Sequence, residues 1–296
     1  MSKTDNKESN SENTLNSRIE NNFELRKNFI FREIGEIIRY ESKRIIITQK
    51  FFIALTLILL PAILYLDASA REVEVFLIDF GEEMFMRRSA AGFIILGQFL
   101  MQMIAIMLTL DSFGKNTNDS MQRYFAMPIR KISIYIGHTI TTCIGTAITG
   151  VAAILAFDLI LWIWTGISLS FVLILQAFLL TFIGAFLAIA TTTLFIIIAN
   201  YFNFSSSIAI VPTLFIFYII PFVVYFTSQF NYVNETFQNW TFMHQLAVAT
   251  DFMIQPLNGL QEILENNALL AAWLTISLVI AISEIIAAIV FIKTEK

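Results

Sequence analysis

The chain has 296 residues and a mass of 33.7 kDa, with 57% hydrophobic residues, only 14% charged residues and a mean hydropathy of +0.71. A soluble domain carries about 25% charge, so this chain has too little polar surface to coat a globule, and a soluble protein is excluded. A net charge of −4, a pI near 5.3 and a single cysteine, Cys143, exclude a nucleic-acid binder and a disulfide scaffold.

The sequence predicts an all-α membrane protein with six transmembrane helices, preceded by an amphipathic helix. Residues 1–22 are rich in Asn, Ser and Glu and nearly free of large apolar side chains, the composition of a disordered tail. The tail lacks the apolar stretch and small-residue cleavage site of a secretory signal. Over residues 23–44 the pattern changes. Ile30, Ile34, Ile37 and Ile38 recur at helical spacing, and Arg32, Glu33, Glu36, Arg39, Lys43 and Arg44 fill the other face. This is an amphipathic helix that runs directly into lipid-length apolar sequence. It is expected to lie in the membrane interface; the alternative is a surface helix packed on the rest of the protein.

A helix needs about 20 apolar residues to cross the hydrocarbon. Six stretches within residues 45–292 qualify: Ile45–Leu66, Ser89–Leu110, Ile132–Trp164, Leu169–Ala199, Ser205–Thr227 and Ala268–Ile292. The third is long enough to tilt or project. Pro212 and Pro221 are expected to kink the fifth. The stretch around residues 240–257 is broken by His244, Gln245, Asp251, Gln255 and Pro256 and reads as re-entrant or surface-lying rather than as a seventh span. Sixteen of the nineteen Lys and Arg residues fall in residues 1–50, in the 111–131 loop and in the 293–296 tail. The positive-inside rule therefore puts both termini in the cytoplasm of a plasma membrane, with outer loops at 67–88 and 228–267.

From Asp111 to His138, across the 111–131 loop and into the third span, the chain reads DSFGKNTNDSMQRYFAMPIRKISIYIGH. This resembles the loop between spans two and three of the type-2 ABC exporter permeases. Asp111, Tyr124, Phe125, Pro128, Ile129, Arg130 and Gly137 stand at the family's spacing, and His138 stands where the family usually has Lys. The family's Glu and Gly-Thr are replaced here by Asn116, Ser120 and Met121. Tyr40–Phe52 is similar to the family's approach to its first span, and the six-span order agrees. The resemblance covers nearly all of residues 23–292. It implies a permease subunit whose loop docks on a separate ATPase, through Asp111, Asp119, Met121, Arg123, Tyr124, Phe125, Pro128, Arg130 and Lys131. It also implies a second permease, identical or related, with ATP and Mg bound on the ATPase and no cofactor on this chain. The residues make independent physical sense of such a loop. A short helix over 120–125 would gather Met121, Tyr124 and Phe125 on one side, a ridge fit to plug a partner's groove, and Pro128 would end it. No G-x-x-x-x-G-K-[ST] phosphate loop occurs in the sequence.

Two intramembrane features remain. In the third span Gly137, Thr141, Gly145, Thr149 and Ala153 form one i+4 row, and His138, Thr142, Thr146 and Gly150 form the adjacent one. Together they make a broad small or polar face, suited first to close helix packing and second to lining a path. A shorter row, Gly184, Ala188 and Thr192, lies in the fourth span. In the sixth span Glu284 is expected to share a face with Ser277, Ala281 and Ala288. It stands at a depth similar to that of His138, a candidate partner that would keep the carboxylate charged. Asp158 lies near the outer end of its span, within reach of water.

An enzyme reading rests on Glu82-Glu83-Met84-Phe85-Met86-Arg87, an E-E-x-x-x-R string similar to the first motif of intramembrane CAAX-type proteases, with His138 and His244 as the two histidines in the chain. A stand-alone secondary carrier is the third reading. It calls for inverted repeats with interrupted helices in both halves, and the sequence offers only the prolines of the fifth span.

Overall fold

The computed structural model describes residues 29–44, 73–114, 129–220, 223 and 267–294. Everything regular in them is helical, with no strand. Helix α1 covers residues 29–44, α2 Val73–Phe113, α3 Lys131–Thr165 and α4 Phe171–Tyr201. A short 3-10 turn, Ser206–Ala209, leads into α5, Ile210–Leu214, which widens into a π-helical stretch at Phe215–Ile219. Helix α6 is Asn267–Thr294. The first expected span lies outside the described residues, as do the tail 1–22, the outer loop 228–267 apart from its last residue, and Pro221.

Three described helical stretches are long and apolar enough to cross a membrane: Lys131–Thr165, Phe171–Tyr201 and Leu274–Lys293. They coincide with the third, fourth and sixth expected spans. Leu100–Phe113 of α2 overlaps the second and runs three residues past its end, and Ser206–Ile219 lies within the fifth; both are shorter apolar helices. Helix α3, at about 52 Å by its rise, exceeds the roughly 30 Å of hydrocarbon, so it tilts or projects. The segment expected as the outer loop 67–88 is helical from Val73 onward. Gly81 divides it from the main run of α2 with φ 79°, ψ 168°, a backbone that glycine adopts readily. The fifth span carries its irregularity around Pro212: a 3-10 turn, then α, then π. A proline has no N–H to give to a regular ladder, so distortion there is expected.

Helix α2 packs chiefly on α4 and secondarily on α3, while α6 leans mainly on α4. Two apolar clusters fill the bundle. The larger gathers Phe93, Ile94, Met101, Ile154, Phe157 and Leu180. The second sits where α2 ends and α3 begins, and unites Ile37, Phe113, Ile134, Tyr135, Ala287 and Phe291 from four helices. The remaining face of α3, including Ile148, Val151, Leu155, Leu159 and Ile163, stays exposed, as a lipid-facing stripe does. The hairpin between α3 and α4 is closed by Asp158, whose carboxylate accepts the Leu169 N–H at 2.6 Å and the Ser168 hydroxyl at 3.2 Å. Gly166, in the left-handed region, donates back to the Trp162 carbonyl at 2.8 Å. Ser170 then caps α4 by accepting the Leu173 N–H.

Candidate functional site: a buried polar cluster at the roots of the 111–131 loop

Helix α1 is laid against the beginning of α3. Glu33, Ile34, Ile37 and Glu41 form its buried face, at i, i+1, i+4 and i+8. The Ser133 hydroxyl donates to Glu33 Oε2 at 2.7 Å. One turn further along both helices, Ile37 presses on Gly137 so closely that a Cβ there would meet Ile37 Cγ2 at 2.6 Å. Sequence reasoning had placed Glu33 on the water-facing side with the arginines. The structure buries it instead, because the apolar stripe of α1 is narrow and Glu33 borders it. Packing against the bundle, the alternative to an interfacial position, describes this face. Phe29, Phe31 and Tyr40 remain exposed beside it.

Arg44 ties α1 to the end of α2. Its Nη2 donates to the Asp111 carbonyl at 3.0 Å, and its Nε is 2.7 Å from the fully buried Glu41 carboxylate. The last carbonyls of a helix have no partner within it. In α2, Leu110 receives the Gly114 N–H at 2.8 Å, Asp111 receives Arg44, and Phe113 receives the Asn200 amide of α4 at 3.4 Å. The side-chain oxygen of Asn200 accepts in turn from the Ser206 hydroxyl.

Deeper in this cluster lies the Glu284 pair. The Tyr135 hydroxyl donates to Glu284 Oε2 at 2.5 Å, and Oε1 is buried with no hydrogen-bond partner among the described residues. The expected partner, His138, is not the one the carboxylate uses: Tyr135, three residues earlier on the same helix, reaches it first. The imidazole of His138 is fully buried, with its ring 5.6 Å from that of Phe113. The expected face of α6 also needs correction. Ser277 and Ala281 are exposed, and the packed row is Ile276, Ser283, Ala287 and Phe291, with Glu284 half-buried at its margin. A rotation of one residue separates the two rows, and both carry small side chains.

The two i+4 rows of α3 are buried throughout: Gly137, Thr141, Gly145, Thr149 and Ala153 with His138, Thr142, Thr146 and Gly150. Each threonine hydroxyl donates to the carbonyl four residues back, at 2.7–2.9 Å. Thr142 also lies 3.0 Å from the Ser112 hydroxyl of α2. Gly184, Ala188 and Thr192 of α4 are buried as well. In contrast, Gln102 of α2 is fully buried and neither amide atom has a hydrogen-bond partner among the described residues. Thr192 and Thr193 are buried, and among the described residues their hydroxyls have no partner either.

Of the expected docking residues, Asp111, Arg130 and Lys131 are placed at the two helix ends that flank the loop. Asp119, Met121, Arg123, Tyr124, Phe125 and Pro128 lie outside the described residues. The E-E-x-x-x-R string forms a local pair, with Glu83 accepting from Arg87 at 2.8 Å. It stands about 45 Å along α2 from Phe113 and its neighbour His138, while His244 lies outside the described residues. Among the described residues no group of three His, Cys, Asp or Glu side chains is placed to hold a metal ion. Sequence reasoning missed Tyr135, Glu41, Ser112 and Gln102. Only Glu41 left a signal, the Glu33, Ile37, Glu41 spacing along one face of α1.

Compared with known proteins, the chain matches no family model and no curated sequence.

Proposed function

We propose that this chain is the membrane-spanning permease subunit of an ABC transporter of the exporter type, with ATP and Mg bound on a separate ATPase. Both termini and the 111–131 loop face the cytoplasm, the chain resides in the plasma membrane, and a second permease, identical or related, completes the pore. The observation that carries this reading is the loop DSFGKNTNDSMQRYFAMPIRKISIYIGH, joined to the way its two roots are built. Asp111, at the end of α2, is held by α1, and Ser133, at the start of α3, is held by the same helix. A push on the loop therefore reaches two helices of the bundle and, through Tyr135 and Glu284, a third. A docking loop needs that rigidity to turn a partner's movement into a movement of spans. The composition, the membrane-length helices and the basic character of residues 1–50 support the same reading.

The test is biochemical. Purified from its native membrane, the chain carries an ATP-hydrolysing subunit with it; expressed and purified alone, it hydrolyses no ATP. Robust hydrolysis by the isolated chain overturns the proposal, and so does undiminished transport in cells stripped of every cassette ATPase.

A further inference from the structure

Helix α1 touches both roots of one loop, through chemically different contacts. Toward α2 the contact is a guanidinium on the Asp111 carbonyl, three residues before the end of the described stretch at Gly114. Toward α3 it is a buried carboxylate on the Ser133 hydroxyl, three residues after Arg130. Between them the Ile37–Gly137 approach leaves no room for a side chain on α3. Glu33 and Glu41 are 8% and 0% exposed, and a charge or polar group buried so deeply is costly unless it is held by partners.

We infer that α1 is a clasp: Arg44 and Glu33 act as positioning residues that set the separation and angle of the α2 and α3 ends, and so present the intervening loop to its partner. This deepens the proposed docking role and rests on it for the partner's identity. The clasp itself rests only on the contacts at the two roots. Neither residue has to touch the partner. Arg44 acts through the end of α2 and Glu33 through the first turn of α3. Lys at position 44 keeps the charge but loses the planar fork that reaches a carbonyl and a carboxylate together.

The experiment has two readouts. The first is independent of any ATPase. Spin labels at Met107→Cys, an exposed position of α2, and Arg130→Cys, in a Cys143→Ser background, report the distance between the two roots in the full chain in lipid. The clasp predicts a narrow distribution in the parent, clearly broadened or shifted by Glu33→Leu, which cannot accept the Ser133 hydroxyl, or by Arg44→Gln, with Arg44→Lys intermediate and Glu33→Gln, which keeps an acceptor oxygen, close to the parent. The second readout is copurification of the ATP-hydrolysing subunit from native membranes. It should fall at least tenfold in Glu33→Leu and Arg44→Gln, with membrane levels of the chain unchanged, and should stay close to the parent in Glu33→Gln, which keeps the acceptor for Ser133. Distances identical in all variants overturn the clasp. If the distances respond but no ATPase accompanies even the parent chain, the clasp stands and the transporter reading fails. If the distances respond while the parent and the variants copurify the ATPase equally, the positioning role is overturned.

Discussion

Two of the regions in which the bundle buries polar groups are treated differently. On α3 the row of threonines is self-sufficient: Thr141, Thr142, Thr146 and Thr149 each give their proton to a carbonyl of their own helix. Such a face presents methyl groups and backbone to its neighbours, so it packs like an apolar one. On α2 and α4 the buried Thr109, Thr181 and Thr191 do the same, but Gln102, Thr192 and Thr193 have no hydrogen-bond partner among the described residues. An unsatisfied buried polar group costs about 1–3 kcal/mol, and away from water the cost rises. The first region draws its hydrogen bonds from its own helix, with Thr142 also meeting Ser112 of α2. The second has no packing rationale, and it is the better place to look for contact with water or with a transported polar group.

This comparison can be broken by substitution. The largest effect is expected at Glu284, whose carboxyl has Tyr135 as its only hydrogen-bond donor among the described residues. Tyr135→Phe strips Glu284 of its donor and should lower stability in detergent by up to about 3 kcal/mol, the cost of leaving a buried polar group unsatisfied. Tyr135→Phe/Glu284→Gln should recover part of this, and a thermal melt of the purified chain reads both. Next come the glycines of the packed face. At Gly137 a Cβ meets Ile37 at 2.6 Å and 2.9 Å, so Gly137→Ala should cost about 2 kcal/mol through overpacking. At Gly150 the nearest atom is the terminal methyl of Met101 at 3.0 Å, which can swing away, so Gly150→Ala should be close to neutral. Equal melting shifts for the two would show that α1 is not held against α3 as described.

Smaller effects separate the two polar regions directly. Gln102→Leu removes two unpartnered atoms at similar volume and should raise stability by about 1 kcal/mol if the site is dry. A stabilised chain that has lost transport would locate function at this residue. Thr146→Val deletes a hydroxyl whose bond lies within its own helix, and should change stability by less than about 1 kcal/mol. A large loss there would mean that the threonine face does more than pack.

The sequence made some of this legible for definite reasons. The α3 face was readable because glycine and threonine recur at i+4 over five turns, a pattern that only one helix orientation can bury. The positions of α3, α4 and α6 followed from apolar length. The partner of Glu284 did not, since Tyr135 and His138 are one turn apart and span depth alone cannot separate them. The burial of Glu33 was hidden for a related reason. Its charge assigns it to water by composition, and only the arrival of Ser133, a hundred residues away in sequence, changes that assignment. The irregular start of α2 at Gly81 left only a glycine as a trace.

In the proposed mechanism the loop between α2 and α3 docks on an ATP-hydrolysing partner. The sequence offers Tyr124 and Phe125 as its aromatic anchors, and buried anchors often contribute 2 kcal/mol or more when truncated, about thirtyfold in affinity. The direct measurement is the amount of ATPase subunit copurified with the Tyr124→Ala/Phe125→Ala chain, set against an equal amount of parent chain from the same membranes. The account predicts that the ATPase is released while the variant chain inserts normally. Unchanged copurification, together with unchanged transport, would contradict it.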